Sequence, residues 1–305
     1  MSGSMMLLAA GAGVAPNPFT GLTLTLTGAS LGATERANPP ASVGTYTAVG
    51  SVLPADATYS AGYVYFNIYP GTYTVQIKGA EGSGPQHGFG ATINATMVSS
   101  VTARMIALIG QAGSGSYGAG GMSVLALSAG GNTYAGATAI LVAGGGGGGY
   151  STLQSEADAG GTSWSSTTRR GVNGGCATYG GGPYDAGAPF NPAFHSVSVY
   201  NCTTANWSAQ AFLSGARGGI GTDCGSSIQG GFGGGGGSCP GGGGGYYGGF
   251  AGGDSPFASG GGGGTSYRLT SGGVYISAWS DGSLNGSSRS ASPGTAYGYI
   301  SIVKV

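Results

Sequence analysis

Ala139-Ile140-Leu141-Val142-Ala143-Gly144-Gly145-Gly146-Gly147-Gly148-Gly149 runs an apolar, strand-like stretch straight into six glycines, and five-glycine runs recur at 233–237, 241–245 and 260–264. A glycine run is ordinarily a flexible linker, because an unsubstituted backbone loses the most entropy on ordering. Here the runs are bracketed by bulky apolar residues, as in Gly230-Gly231-Phe232, Tyr246-Tyr247-Gly248-Gly249-Phe250 and Thr265-Ser266-Tyr267, which a solvated spacer would waste. The ordered alternative is an extended helix of three residues per turn with no internal hydrogen bonds, whose amides and carbonyls must find partners on neighbouring segments. Six residues would span ~19 Å in that form, enough for one rod of a small bundle of parallel and antiparallel rods. The bracketing favours the bundle.

The chain has 305 residues, 71 of them glycine, with 9 Lys plus Arg against 9 Asp plus Glu. That length suits one large domain with a small appendage. Zero net charge and scattered basic residues, with Arg169-Arg170 the only adjacent pair, offer no track for a phosphate backbone, so nucleic acid is not expected as a partner. With 40% hydrophobic residues and little charge, the composition is not that of a disordered chain. It suits an assembled or extracellular protein. No apolar run approaches the ~20 residues that cross a bilayer as a helix, so membrane insertion is not expected. Met5-Met6-Leu7-Leu8-Ala9-Ala10 resembles the apolar heart of a signal peptide but lacks a basic flank, and cleavage is not expected there.

The four cysteines, Cys176, Cys202, Cys224 and Cys239, all fall in the glycine-rich half and form no CxxC pattern. Pairing of sequence neighbours would join Cys176 to Cys202 and Cys224 to Cys239, the second closure adding roughly 3 kcal/mol if unstrained. Four buried thiols are the equal alternative. Only His87 and His195 are present, neither at ligand spacing from a cysteine, so no metal is expected.

Residues 1–56 differ from the rest, being rich in Met, Ala, Pro and Thr, and read as an attachment segment. Within them Leu22-Thr23-Leu24-Thr25-Leu26-Thr27 alternates as a half-buried strand. Residues 57–305 form the second unit. Its strand candidates begin with Tyr63 to Tyr69, a Pro70-Gly71 turn, and Tyr73 to Gly79, which together read as a hairpin. Others are Ala91 to Met97, Met105 to Gly110, Ser123 to Leu127, Ile140 to Ala143, Val274 to Trp279 and Tyr297 to Val305. The last has the composition of a central strand and is expected to return to the sheet begun near Tyr63. Helical periodicity is almost absent, so the fold class is all-β.

The order of segments then becomes specific. Tyr73-Thr74-Val75-Gln76-Ile77-Lys78-Gly79-Ala80-Glu81-Gly82 is followed by Ile106-Ala107-Leu108-Ile109-Gly110-Gln111-Ala112-Gly113, by the Ala139 to Gly149 stretch, by Gly230 to Gly249 and by Gly260 to Tyr267. This succession resembles the glycine-rich domain of the anaplastic lymphoma kinase and leukocyte tyrosine kinase receptors, a type found also in phage tail-fibre adhesins and other virion and bacterial surface proteins. The resemblance covers roughly residues 60–305. It implies a TNF-like, jelly-roll β-sandwich with an inserted polyglycine-II helix bundle. Nothing resembling a kinase domain or a membrane-spanning segment accompanies it, so the likeness is to that domain and not to the receptor. The start, Met1 to Gly13, bears a shorter resemblance to the first residues of phage tail-fibre and other virion proteins.

Motifs of catalysis are missing. Gly113-Ser114-Gly115-Ser116-Tyr117-Gly118 matches G-x-G-x-x-G, but the residues after it do not read as a helix able to hold a pyrophosphate. There is no phosphate loop, nucleophile elbow or HExxH pattern, and Glu156 and Asp158 do not make a glycosidase pair. No enzyme activity and no cofactor are expected. What remains is recognition by segments at the ends of the glycine rods, since loops on a rigid scaffold commonly carry binding residues. Trp164, Tyr179, Tyr184, Phe190, Trp207, Tyr246, Tyr247 and Phe250 are the candidate receptor contacts, large rings that order at small entropic cost. Packing over the glycine bundle is their competing role.

The expected function is that of a bacteriophage structural protein on the virion surface, a tail-fibre or tail-tip adhesin. It would dock to other virion proteins through residues 1–56, form a homo-oligomer within the assembly, and bind a host-surface glycan or protein. The competing readings are a capsid decoration protein and a secreted glycine-rich ligand-binding module.

Overall fold

A strand apolar at every second position buries one face, whereas a strand apolar throughout buries both. This chain uses both kinds. A computed structural model of the protein describes residues 19, 21–26, 39, 46–48, 56–84, 87–115, 117–149, 187–192, 209–221, 228–237, 241–249, 261, 263–281 and 297–305. In chain order the strands are β1 (Gly21–Leu26), β2 (Tyr46–Ala48), β3 (Thr58–Ser60), β4 (Tyr63–Ile68), β5 (Gly71–Lys78), β6 (Thr92–Ser99), β7 (Ala103–Leu108), β8 (Ser123–Leu127), β9 (Thr138–Ala143), β10 (Ile220–Gly221), β11 (Ile228–Gln229), β12 (Tyr267–Arg268), β13 (Val274–Asp281) and β14 (Tyr299–Lys304). They form two six-stranded sheets, ordered β13-β6-β5-β14-β1-β2 and β12-β9-β8-β7-β4-β3, beside a small β10-β11 pair. The fold is all-β, and its two large sheets are antiparallel throughout.

The first sheet is one-sided. Along β5, Tyr73, Val75 and Ile77 are fully buried while Thr74 on the other face is exposed, and Leu22, Leu24, Ile93, Met97, Ile300 and Ile302 continue the buried face across the sheet. The second sheet is covered on both faces. Val64, Phe66, Met105, Ala107 and Leu125 meet the first sheet, while Tyr63, Tyr65, Ile106, Leu108, Val124 and Val142 turn the other way onto Phe190, Phe212 and Phe232. A bulge where β8 pairs with β9 skips one residue between Leu141 and Ala139. It puts the consecutive Ile140 and Leu141 on the same core, which strict alternation would forbid.

This two-core arrangement corrects the expected hairpin. β4 pairs with β3 and β7, and β5 pairs with β6 and β14, so Tyr69-Pro70 carries the chain from one sheet to the other. The near-continuous apolar run of β4 needs a sheet covered on both faces, and the alternating β5 needs one that meets solvent. The Tyr73 hydroxyl, donating to the Tyr69 carbonyl at 2.7 Å, ties the crossing. The closing strand is likewise central, but it lies between β5 and β1 and not in the sheet that contains Tyr63. β1, from within residues 1–56, is thereby built into the first sheet, with Phe19 stacked on Phe66 at 5.6 Å.

The glycine segments continue strands. β5, β7 and β9 run on as residues 79–84, 109–115 and 144–149, while 87–91, 117–122 and 263–266 lead into β6, β8 and β12. Because neighbouring strands are antiparallel, all six extensions leave the same end of the sandwich. Residues 144–149 are buried at the centre of this region. Their bonds repeat every third residue: the amides of Gly145 and Gly148 donate to Gly244 and Gly241, and those of Gly146 and Gly149 to Ala80 and Ser83. The carbonyls of Gly144 and Gly147 accept from Ala91 and Gly88, and those of Gly145 and Gly148 from Gly264 and Gly261. Backbone polar groups that would be costly to bury alone are satisfied between segments rather than within one ladder.

Charged side chains are sparse, and among the described residues two groups of them tie elements together. Arg104 of β7 bonds the carbonyl of Asp56, its carboxylate (3.3 Å), Thr58 Oγ1 and Asn132 Oδ1, so that one guanidinium gathers β3, β7 and the loop after β8. Where β5 becomes a glycine segment, Lys78 Nζ lies 2.7 Å from Glu81 Oε1 and His87 Nε2 lies 3.7 Å from Glu81 Oε2. Burial pushes the Glu81 carboxyl up, but hydrogen bonds from His87 and Lys78 and their charges outweigh it and hold the group below its usual range.

Candidate functional site

Thr265 follows the last glycine run and fixes the site's geometry. Its carbonyl accepts from the Tyr246 amide at 2.9 Å, its amide donates to the Tyr247 carbonyl at 2.9 Å, and its Oγ1 accepts from the Tyr247 amide at 2.8 Å. The Tyr246-Tyr247 pair is thus clamped by its backbone. A side chain at Gly245 would meet the Thr265 amide nitrogen at 2.6 Å, so the approach requires glycine there. Ser266 Oγ accepts from the Gly144 amide at 3.3 Å, and the next two residues pair as β12 with Val142 and Leu141 of β9. The second sheet therefore ends where the glycine region begins, and both contribute to one surface.

Three tyrosines converge on that surface. The Tyr246 and Tyr267 rings stack with centroids 3.9 Å apart and planes 8° from parallel, and Tyr247 stands at 82° to Tyr246 with centroids 5.2 Å apart. With Thr265, Ser266, Arg268 and Thr270 they line a groove of about 420 Å³. That volume lies within the range of small-ligand sites. Burial, with the neighbouring phenols of Tyr267 and Tyr247 and a hydrogen bond to Tyr267, pushes the Tyr246 hydroxyl up to about 12. It stays neutral under ordinary conditions, and Arg268 is the basic residue among the described lining.

Arg268 is held from the opposite sheet. Its guanidinium carbon sits 4.8 Å from the centre of the Trp279 ring on β13, and with both residues half-buried the attraction is on the order of 1 kcal/mol. Leu269 keeps the two sheet edges together here, its amide donating to Ile140 at 2.9 Å and its carbonyl accepting from Ile276 at 2.8 Å. The groove thus offers aromatic faces, phenolic and aliphatic hydroxyls and an oriented cation. These groups suit non-covalent recognition.

Of the rings named from sequence, Tyr246 and Tyr247 are brought together in this groove. Phe190 is not on the surface: it is 4% exposed, stacks on Phe212 at 4.7 Å and supports Tyr246 from below at 6.2 Å. Trp164, Tyr179, Tyr184, Trp207 and Phe250, and the cysteines Cys176, Cys202, Cys224 and Cys239, lie outside the described residues. Sequence reasoning missed Tyr267, Arg268 and Thr270 as partners of Tyr246 and Tyr247. The available signal was an aromatic and a cation side by side directly after a glycine run.

The G-x-G-x-x-G match is also explained. Gly113 and Gly118 are points of backbone contact, where a Cβ would meet carbonyl oxygens at 2.2 Å, and Gly115, with φ +74°, makes the turn between two segments. It is a reversal in the glycine region, with no helix after it to receive a phosphate. Neither a protein-family model nor a curated protein matches the chain.

Proposed function

We propose that this chain is a non-enzymatic structural protein of the bacteriophage surface, a tail-fibre or tail-tip adhesin that recognises a host-cell receptor. The observation that carries the reading is the Tyr246-Tyr247-Tyr267-Arg268 groove, whose position is set by backbone bonds to a rigid glycine region rather than by a loose loop. Recognition gains from rings that lose little freedom on binding and from a scaffold ordered beforehand.

The finer architecture belongs to the same proposal. Hydrogen bonds that return to the same neighbour every third residue, with both parallel and antiparallel neighbours, support a polyglycine-II bundle. Two six-stranded sheets in a sandwich support the TNF-like reading. Residues 1–56 dock to other virion proteins through the parts of that segment that do not enter the first sheet, and the protein acts as a homo-oligomer on the extracellular surface of the particle.

Immunogold electron microscopy of native particles, with an antibody against residues 60–305, tests the assignment. Label confined to a tail tip or fibre is expected. Label over the whole head would replace the adhesin with a capsid decoration protein, and unlabelled particles would replace it with a secreted binding module.

A further inference from the structure

Two arginines in this protein are used in opposite ways. Arg104 spends its guanidinium on Asp56, Thr58 and Asn132. Arg268, in the lining of the tyrosine groove, has its guanidinium carbon over the Trp279 ring, and among the described residues no carboxylate pairs with it. A guanidinium held over a ring by its charge still has its forked N–H donors to offer to a planar two-oxygen anion. Among the described residues the groove lining contains no Asp or Glu to compete for it.

We propose that the groove binds an acidic saccharide, its carboxylate on Arg268 and a sugar ring against the tyrosines. This deepens the recognition role proposed above and rests on it. A pyranose has an apolar C–H face that covers an aromatic ring and hydroxyls that pair with phenols and threonines, and Tyr247, Tyr267 and Thr270 supply those groups around one cation. The groove takes in the edge strand β12, but its lining of flat rings and hydroxyls suits the apolar face and hydroxyls of a sugar better than an acidic peptide, which the test below includes as the competing ligand. The neutral Tyr246 hydroxyl adds no charge against the ligand's.

The test is titration of the full chain with digalacturonate, sialyllactose and an acidic peptide, each acid sugar also as its carboxyl methyl ester, followed by calorimetry or by tyrosine and tryptophan fluorescence. Binding of at least one acid sugar is expected, about tenfold or more weaker for its ester, because a charge-assisted hydrogen bond is lost. Arg268→Gln should bind acid and ester alike, Arg268→Lys should keep part of the preference, and Tyr247→Ala should weaken both forms. Unchanged thermal unfolding of the variants separates these effects from misfolding. Equal binding of acid and ester by the parent, no binding of either sugar, or binding of the peptide alone would overturn the proposal. Tail-tip label on particles without acid preference would leave the adhesin reading standing and remove this one. Acid preference with unlabelled particles would do the reverse.

Discussion

A methyl group at Gly146 would lie 2.0 Å from the carbonyl oxygen of Gly88, and one at Gly148 would lie 1.8 Å from that of Tyr117. Gly144 and Gly145 are as tight, at 2.1 and 2.2 Å. These obstacles are backbone atoms, and the carbonyls of Gly88, Tyr117 and Gly120 each accept an amide hydrogen bond, so they cannot step aside. Gly146→Ala is therefore expected to cost more than about 4 kcal/mol, at the extreme of single substitutions. Gly130 is the control: nothing lies within 4 Å of its added carbon, and its φ is not positive. Gly130→Ala should be neutral or up to about 1 kcal/mol stabilising, because it restricts the unfolded chain. Urea denaturation of both variants decides the matter, and a Gly146→Ala midpoint equal to the parent's would sink the close-packing account. The long runs were legible in sequence because Gly144, Gly145, Gly146 and Gly148 of the central segment all meet neighbouring backbone, so glycine is needed at consecutive positions. The outer segments were harder to read. Contact falls on Gly79 and Gly82 and on Gly110 and Gly113, each three apart, and on Gly118, Gly120 and Gly121, with Ala80, Glu81, Gln111, Ala112 and Ala119 interrupting the glycines. In a chain with 71 glycines such a spacing does not stand out.

Between elements, the sandwich and the glycine region are joined by Ser123, the first residue of β8. Its buried hydroxyl donates to the Lys78 carbonyl at 2.6 Å and accepts from the Gly110 amide at 3.0 Å, linking the ends of β5 and β7, which belong to different sheets. Gly298 lies against it, and a Cβ there would meet Ser123 Oγ at 2.2 Å. Ser123→Ala would leave two buried backbone groups without that partner and is expected to cost about 2–3 kcal/mol. Ser277→Ala, which removes an exposed bond of 3.2 Å to the Thr96 carbonyl, should stay within about 0.5 kcal/mol. Comparable losses from both, measured by thermal unfolding, would mean that Ser123 is no special junction. Strand positions were legible from apolar patterning, and Ser123 to Leu127 matches β8 residue for residue. Strand partners were less so. The contrast between the continuous Tyr63-Val64-Tyr65-Phe66 and the alternating Tyr73-Thr74-Val75-Gln76 does distinguish a covered sheet from an open one. A Pro-Gly turn between two strands nonetheless suggests a hairpin, and nothing local reveals that the chain changes sheets. The groove was half legible for the same reason: Tyr246 and Tyr247 announce themselves, but their meeting with Tyr267 and Arg268 depends on where β12 pairs.

For the molecule as a whole, the decisive pairing is the most distant in sequence. β14 joins β5 to β1, and Thr23 and Ser301 hydroxyls meet across it at 3.0 Å. Until the last residues are in place, Leu22 and Leu24 have no strand linking them to Val75 and Ile77, and the first sheet is divided in two. Pairings of such separation require large loops to close before any contact rewards them, which slows folding. Refolding from denaturant is therefore expected to take on the order of seconds or longer. A chain ending at residue 298 should lose cooperative unfolding and bind a hydrophobic dye, since Ile300 and Ile302, both fully buried, leave the core with it. Removal of Val305 alone should do little, because that residue is 81% exposed and contributes one backbone bond to Thr72. If the chain ending at residue 298 unfolded as sharply as the parent, the sandwich would not depend on its final strand. The glycine region would then have to stand as a folding unit by itself, which conflicts with its having few side chains to bury and six of its segments continuous with strands of both sheets.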